Sequence, residues 1–399
     1  MINIRNYLKN RKKDREKTPR ISYLEKIKSH KFMIFYRSLL LFVLAAAATA
    51  AFLIQWKNKI YSEIVTVSSI ETSKPKNGNL IAFSEYILTY SKDGASCMDG
   101  KGNAVWNETF QMQNPMVDIC RNVVAIGDYN GRNIYVMNTS GVLGQITTNK
   151  PIRNFCVAAN GVVAVVLDDS GVTYIYLFDT KGNELVRFTT TMKDSGYPFS
   201  ISISPNGTLL CVSYLFVDSG ELKSSVAFYN FGEVGQNQTN NYMSGYDYRD
   251  VIVGYTRFLD EKTIFAVSDD RIMFFEGSQK PVNTAERLLN EEVQRIYYGK
   301  ENVGLVFNST EGSRYRLDVY HKSGQLSRSI YFDMEYTDIV FAEDQIIIYN
   351  ESECLVYNMN GVEKFSGYFD KAVYALIPTS SSYKYILITG DSIDTIELK

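Results

Sequence analysis

The sequence predicts an all-β fold, an eight-bladed β-propeller preceded by one transmembrane α-helix. Three observations lead there. A charge-free apolar stretch follows a strongly basic start. Beyond it, short runs rich in Val, Ile, Tyr and Phe alternate with Gly, Asn, Asp and Ser turns. One kind of turn then recurs eight times, at spacings near the roughly 40–45 residues that a four-stranded propeller blade needs.

The membrane element comes first in the chain. Residues 1–37 hold twelve Lys and Arg against Asp14, Glu16 and Glu25, a net charge of +9, while the remainder carries −11. Two compartments would explain that split. Met1–Arg20 is polar and basic and reads as an unstructured tail. Ile21–Tyr36 predicts a short amphipathic helix, with Ile21, Leu24 and Ile27 near helical spacing and cations that favour anionic lipid. Ser38–Ile54 reads SLLLFVLAAAATAAFLI, 17 residues without a charge. That is the short end of what spans a bilayer. Arg37 can snorkel to the headgroups beside Ser38, Leu44 lies within the apolar run, and Trp56 follows Ile54 as an interfacial aromatic. The positive-inside rule puts the N-terminus in the cytoplasm and the propeller outside the cell membrane. The expected division is a basic cytoplasmic tail over 1–37, a transmembrane helix over 38–56 and an extracytoplasmic propeller over 57–399. A 37-residue basic start is longer than signal peptides carry, so an uncleaved anchor is expected, although Ala45–Ala51 offers small-residue cleavage sites.

The repeats follow. An apolar strand ends near an Asx residue, a Gly turns the chain, and a polar-apolar strand returns. The turns lie in CMDGKGNAVW from Cys97, VMNTSGVLGQI from Val136, LFDTKGNELVRF from Leu177, FYNFGEVGQ from Phe228, MFFEGSQKPV from Met273, VYHKSGQLSRSI from Val319 and VYNMNGVEKF from Val356. A terminal version is ITGDSIDTIEL from Ile388. Gly and Asn suit the positive φ of tight hairpins. The third unit shows all four strands, near Asn154–Ala158, Val162–Asp168, Val172–Asp179 and Glu184–Thr189. Continuous runs such as VVAVVL fit inner strands packed on both faces. The unit beginning near Lys371 has only three strands. Residues 60–70, through Ile64–Ser68, are expected to supply the fourth and close the ring, which removes exposed sheet edges. Seven blades are the alternative, because the units after Leu177 are unevenly spaced.

The S-P-N-G turn of Ser204–Gly207, followed by an apolar strand, resembles blade turns of WD40-like and related exported propellers. The whole plan resembles uncharacterised bacterial membrane-anchored propellers with WD40-like or quinoprotein-like blades, a domain of unknown function. No Trp-Asp dipeptide closes a blade and no Gly-His pair opens one. The resemblance implies architecture and location, not chemistry.

Little in the sequence points to catalysis. Of the two histidines, His30 lies in the tail and His321 at a predicted hairpin tip. No G-x-S-x-G elbow occurs, and no C-x-x-C or H-x-x-x-H offers zinc a site. Asp128–Asn133 is the nearest approach to a calcium loop and reads as a hairpin turn. No cofactor and no metal are therefore expected. The five cysteines, Cys97, Cys120, Cys156, Cys211 and Cys354, sit in apolar strands and read as buried free thiols, with a Cys120–Cys156 bridge as the alternative. The segment that stands out is Asn237–Tyr255, longer than an ordinary link, whose Tyr242, Tyr246, Tyr248 and Arg249 form a candidate recognition surface.

The favoured function is a non-enzymatic scaffold that binds a protein or glycan of the cell envelope, with membrane lipid as a further partner and no nucleic acid. Two alternatives stand beside it: a hydrolase or lyase using carboxylates in the propeller channel, and an envelope sensor signalling through the basic tail.

Overall fold

The computed structural model describes residues 9, 11, 23–57, 59–71, 78–169, 171–191, 195–218, 220–309 and 312–399. The chain divides into two compact units, residues 1–60 and 61–399. Apart from Lys9 and Arg11, the predicted tail Met1–Arg20 and Ile21 lie outside the described residues.

The first unit is one uninterrupted helix, α1 (Tyr23–Lys57), of 35 residues. It takes in the predicted amphipathic segment from Tyr23 on and the predicted spanning segment 38–56 as one helix. No Gly or Pro interrupts residues 23–57, and the Ala-rich centre favours helix strongly. At a rise of about 1.5 Å per residue the helix is about 52 Å long, against a hydrocarbon core of about 30 Å. Its span Tyr23–Thr49 is long and apolar enough to cross a membrane. Arg37, Ser38 and Leu44 are all exposed on its surface. Ile54 and Trp56 lie in its last turns, with side chains outside the described set.

The second unit is a ring of eight four-stranded antiparallel sheets. Blades 1 to 7 occupy residues 79–109, 115–147, 152–191, 197–249, 253–288, 295–332 and 338–368 in chain order. Blade 8 takes three strands from residues 373–398 and its outermost from Ile64–Glu71. That strand pairs antiparallel with Ser392–Leu398, from Ile64 opposite Leu398 to Glu71 opposite Ser392. Ring closure by the segment after the helix, and eight blades rather than seven, are as the sequence predicts.

One detail differs. The turn after Ile388 joins the second and third strands of blade 8, Lys384–Thr389 and Ser392–Leu398, whereas the other seven turns join third to fourth strands. In each of blades 1 to 7 the register of that last pair shifts beside the turn, for instance between Cys97 and Met98 and between Leu177 and Phe178. Such bulges tighten the local twist, which suits a blade that twists from channel to rim.

Burial follows position in the blade. Second strands are sandwiched between neighbouring blades and are buried almost throughout, as in Val163–Asp169 and Gln345–Tyr349. Outer strands alternate, as in Val282–Leu288. The core therefore lies between successive blades. Ile175, Leu177 and Phe188 of blade 3 pack on Ile201, Leu210, Val212 and Tyr229 of blade 4.

Candidate binding site between blades 3 and 4

Third and fourth strands of six of the first seven blades are joined by short turns. In blade 4 the third strand ends at Asn230 and the fourth begins at Tyr242. The intervening segment carries a one-turn helix, α2 (Glu233–Gln236), and a 3₁₀ turn, Thr239–Asn241, in which Asn240 and Asn241 take positive φ. Asn tolerates that conformation better than most residues. The Asn230 carboxamide fixes the start of the loop. Its oxygen accepts from Gly232 N–H at 2.8 Å, and its Nδ2 donates to the Gln279 carbonyl at 2.9 Å.

This loop forms one end of a cavity of about 300 Å³ between blades 3 and 4. Small residues create the space. Ser225 stands opposite Asp247 and Ala227 opposite Gly245 across the two outer strands of blade 4. A Cβ at Gly245 would run into the Tyr242 hydroxyl. Aromatic rings frame the gap. Phe188 stacks on Tyr229 at 4.6 Å between centroids, and Tyr242 meets Tyr229 edge-on at 5.9 Å. Tyr214 and Tyr229 share one hydrogen bond between hydroxyls at 2.8 Å. The Thr190 hydroxyl lines the cavity at 3% exposure and has no hydrogen-bond partner.

Burial pushes the Tyr229 phenol up to about 12, with neighbouring Tyr242 and Cys211 adding to the rise against the bond from Tyr214. Tyr214 is raised well above its usual range by burial and by Tyr229. Tyr242 is raised by burial and then by the Asp247 carboxylate. Among the described residues the site thus offers neutral hydroxyls at neutral pH, aromatic walls and the exposed Asp247 carboxylate. Among the described residues neither Lys nor Arg lines it.

The four residues singled out in the sequence do not share one surface. Tyr242 is 46% exposed and faces the cavity beside Asp247. Tyr246 and Tyr248 pack on the opposite side, against the core between blades 4 and 5. The Tyr246 hydroxyl donates to the Pro281 carbonyl at 3.4 Å and accepts from Asn283 N–H at 3.2 Å. Arg271 sits over the Tyr248 ring at 5.8 Å. Arg249 is exposed at the strand end, opposite Lys223. Sequence reasoning missed Phe188, Thr190, Tyr214 and Tyr229, which come from strands that read only as core.

The ring interior is bridged. Arg257 of blade 5 reaches Asp118 of blade 2 at 2.5 Å and donates to the Ile119 carbonyl at 2.5 Å. The second Asp118 oxygen accepts from Val157 N–H of blade 3 at 2.7 Å. Burial alone would lower the Arg257 pKa, but the Asp118 carboxylate and the nearby Tyr298 and Tyr255 rings outweigh it and hold it well above the usual value.

A wider cavity of about 860 Å³ is lined by turns of blades 6, 7, 8 and 1, and includes Glu85, Glu301, Glu343 and Asp344. Three of these carboxylates are engaged. Lys322 binds Glu301 at 2.8 Å, Lys300 binds Glu343 at 3.3 Å, and Ser382 donates to Asp344 at 3.0 Å.

His321 sits at a hairpin tip, as the sequence predicts. Its Nδ1 meets the Ser323 hydroxyl at 2.9 Å, and its Nε2 lies 3.8 Å from Glu301. Ser323 N–H donates to the same nitrogen at 3.2 Å, so the contact is a local turn bond between residues two apart. All five cysteines are free thiols, four of them buried. Among the described residues no group of three or more His, Cys, Asp or Glu is placed to hold a metal ion.

A closed eight-bladed ring with an N-terminal helix apolar enough to cross a membrane defines the class: a β-propeller with a candidate membrane anchor. Over residues 57–398 the chain matches the family of unknown function DUF5711, and it belongs to that family. No curated protein sequence matches it. Among solved structures the chain is similar to BamB from Moraxella catarrhalis, at 12% identity and a TM-score of 0.50, over 84% of this chain and 100% of that one. It is also similar to apo AztD from Citrobacter koseri, at 9% identity and a TM-score of 0.50, over 77% of this chain and 89% of that one. Likeness at such identity concerns the fold alone.

Proposed function

We propose that the protein is a membrane-anchored, extracytoplasmic β-propeller that serves as a non-enzymatic scaffold, binding a protein or glycan of the cell envelope. The observation that carries this reading is the short separation between the apolar helix and the ring. The strand Ile64–Glu71, which completes blade 8, follows α1 within seven residues. Only six residues of chain, 58–63, separate the candidate anchor from the strand that closes the ring. Twelve cations before residue 38 favour a cytoplasmic N-terminus and an external ring. The long loop of blade 4 and its cavity give the ring an asymmetric face suited to recognition. The test is a photo-crosslinking residue placed at Asn240 in intact cells, with Glu351 in blade 7 as the control position. The expected result is a discrete adduct with an envelope protein or wall glycan from Asn240 alone. Adducts from neither position, or equally from both, would count against the proposal.

A second reading, a carboxylate-dependent hydrolase or lyase, draws on the acid-lined cavity near Glu85 and Asp344. The ion pairs and hydrogen bonds already made there favour a structural role, as does the local nature of the His321–Ser323 contact. A fluorophosphonate probe is expected to leave Ser323 unlabelled. Signalling through the tail would require a phenotype on deleting residues 1–20.

A further inference from the structure

We propose that the cavity between blades 3 and 4 binds one neutral sugar ring of a saccharide. The inference rests on the binding-module reading above and names its ligand class. Its basis is the hydrogen-bonding capacity left unspent in the cavity. The Thr190 hydroxyl is buried, lines the cavity and has no partner. Leaving such a group unpaired in a folded protein is costly, so a ligand that pairs it recovers binding energy. Tyr214 and Tyr229 have two phenolic protons but share a single hydrogen bond, and among the described residues neither hydroxyl has another partner. One phenolic proton is therefore also available. The Asp247 carboxylate can only accept.

The ligand must accept from hydroxyls and donate to a carboxylate within a space of about 300 Å³. That volume is at the small end of ligand pockets, room for a single ring. A phosphate or sulfate group would set its negative charge against the Asp247 carboxylate, and among the described lining residues no cation offsets it. A quaternary ammonium would leave Thr190 and the phenol unpaired. It would also find the Tyr229 face already covered by Phe188 at 4.6 Å. A polyhydroxylated ring satisfies both needs, and its C–H face can lie on the exposed Tyr242 ring at the rim.

The test uses the full chain in a detergent without sugar headgroups. Methyl glucoside and methyl N-acetylglucosaminide are the probes, with tetramethylammonium and inorganic phosphate as competing chemistries. Ligand-observed saturation-transfer NMR and tyrosine-fluorescence titration are the readouts. At least one glycoside is expected to bind saturably. Thr190→Val and Asp247→Asn should each weaken binding by about fivefold or more, the loss of one hydrogen bond. Tyr246→Phe, on the far side of blade 4, should leave it unchanged. Each variant is compared at an unfolding temperature no lower than that of the unsubstituted protein, and Tyr242→Ala at the rim serves where a cavity variant fails to fold. No saturable glycoside binding, binding indifferent to these substitutions, or Asp247-dependent binding of tetramethylammonium instead would overturn the proposal. If glycosides fail while Asn240 still forms its discrete adduct, the sugar site falls and the scaffold reading stands.

Discussion

Arg257 and Asp118 come from inner strands three blades apart and meet inside the ring at 17% and 15% side-chain exposure. Truncating one partner of such a pair strands the other charge. Arg257→Ala is therefore expected to cost about 3 kcal/mol, and adding Asp118→Ala should return part of that loss. Denaturant unfolding of the two variants checks this; equal losses would mean that the pair does not hold the interior. Thr190 predicts the opposite behaviour, because its hydroxyl has no hydrogen-bond partner within the protein. Thr190→Val should leave stability unchanged or raise it by about 1 kcal/mol, since the change keeps shape and removes an unpaired polar atom. A fall in unfolding temperature would show an unrecognised partner. Burial holds the Cys97 thiol up at about 11 from an ordinary 9.0, and the Tyr229 phenol at about 12 from 10.0. Both groups are kept neutral by the fold. Their contribution is complete below pH 9 and is lost as pH rises through about 11 to 12. The loss is on the order of 2–3 kcal/mol for each group. Tyrosinate absorbance followed alongside circular dichroism should show Tyr229 ionising only as the ring unfolds.

Elements were more legible in the sequence than partnerships between residues. Apolar runs such as VVAVVL identify the second strands because these are buried on both faces, and Gly- and Asn-rich turns mark the hairpins. The blade count was legible although the last turn joins a different strand pair, because the missing fourth strand could be sought next to the apolar helix. The tyrosine surface was not legible. With a period of two, Tyr242, Tyr246 and Tyr248 would all face one side of the strand. A bulge places Tyr242 opposite Tyr229 and Ser244 opposite Phe228, so Met243 is extra and Tyr242 turns to the other face. The Asp118–Arg257 bridge was equally hidden, since 139 residues separate its ends. The closing strand gives a prediction at this scale. A fragment of residues 57–399 retains Ile64–Glu71, whereas residues 78–399 leave Ser392–Leu398 as an open edge. The longer fragment should unfold cooperatively as a monomer, and the shorter should aggregate or melt far lower. Equal melting by calorimetry would show that the eighth blade does not need this strand.

At the scale of the whole molecule, a basic start, one helix apolar enough to cross a membrane and a closed ring follow one another along the chain. The charge asymmetry and the apolar run were fully legible, because transfer from water to lipid depends on composition more than on tertiary contacts. The uninterrupted length of α1 was not, since Arg37 reads as a boundary in sequence yet is readily carried on a helix. The most direct measurement is surface proteolysis of intact cells expressing the full chain with an epitope at each end. The account predicts that the C-terminal epitope, beyond Lys399, is lost on intact cells while the N-terminal one survives until lysis. Survival of the C-terminal epitope on cells whose other surface proteins are shaved would contradict it.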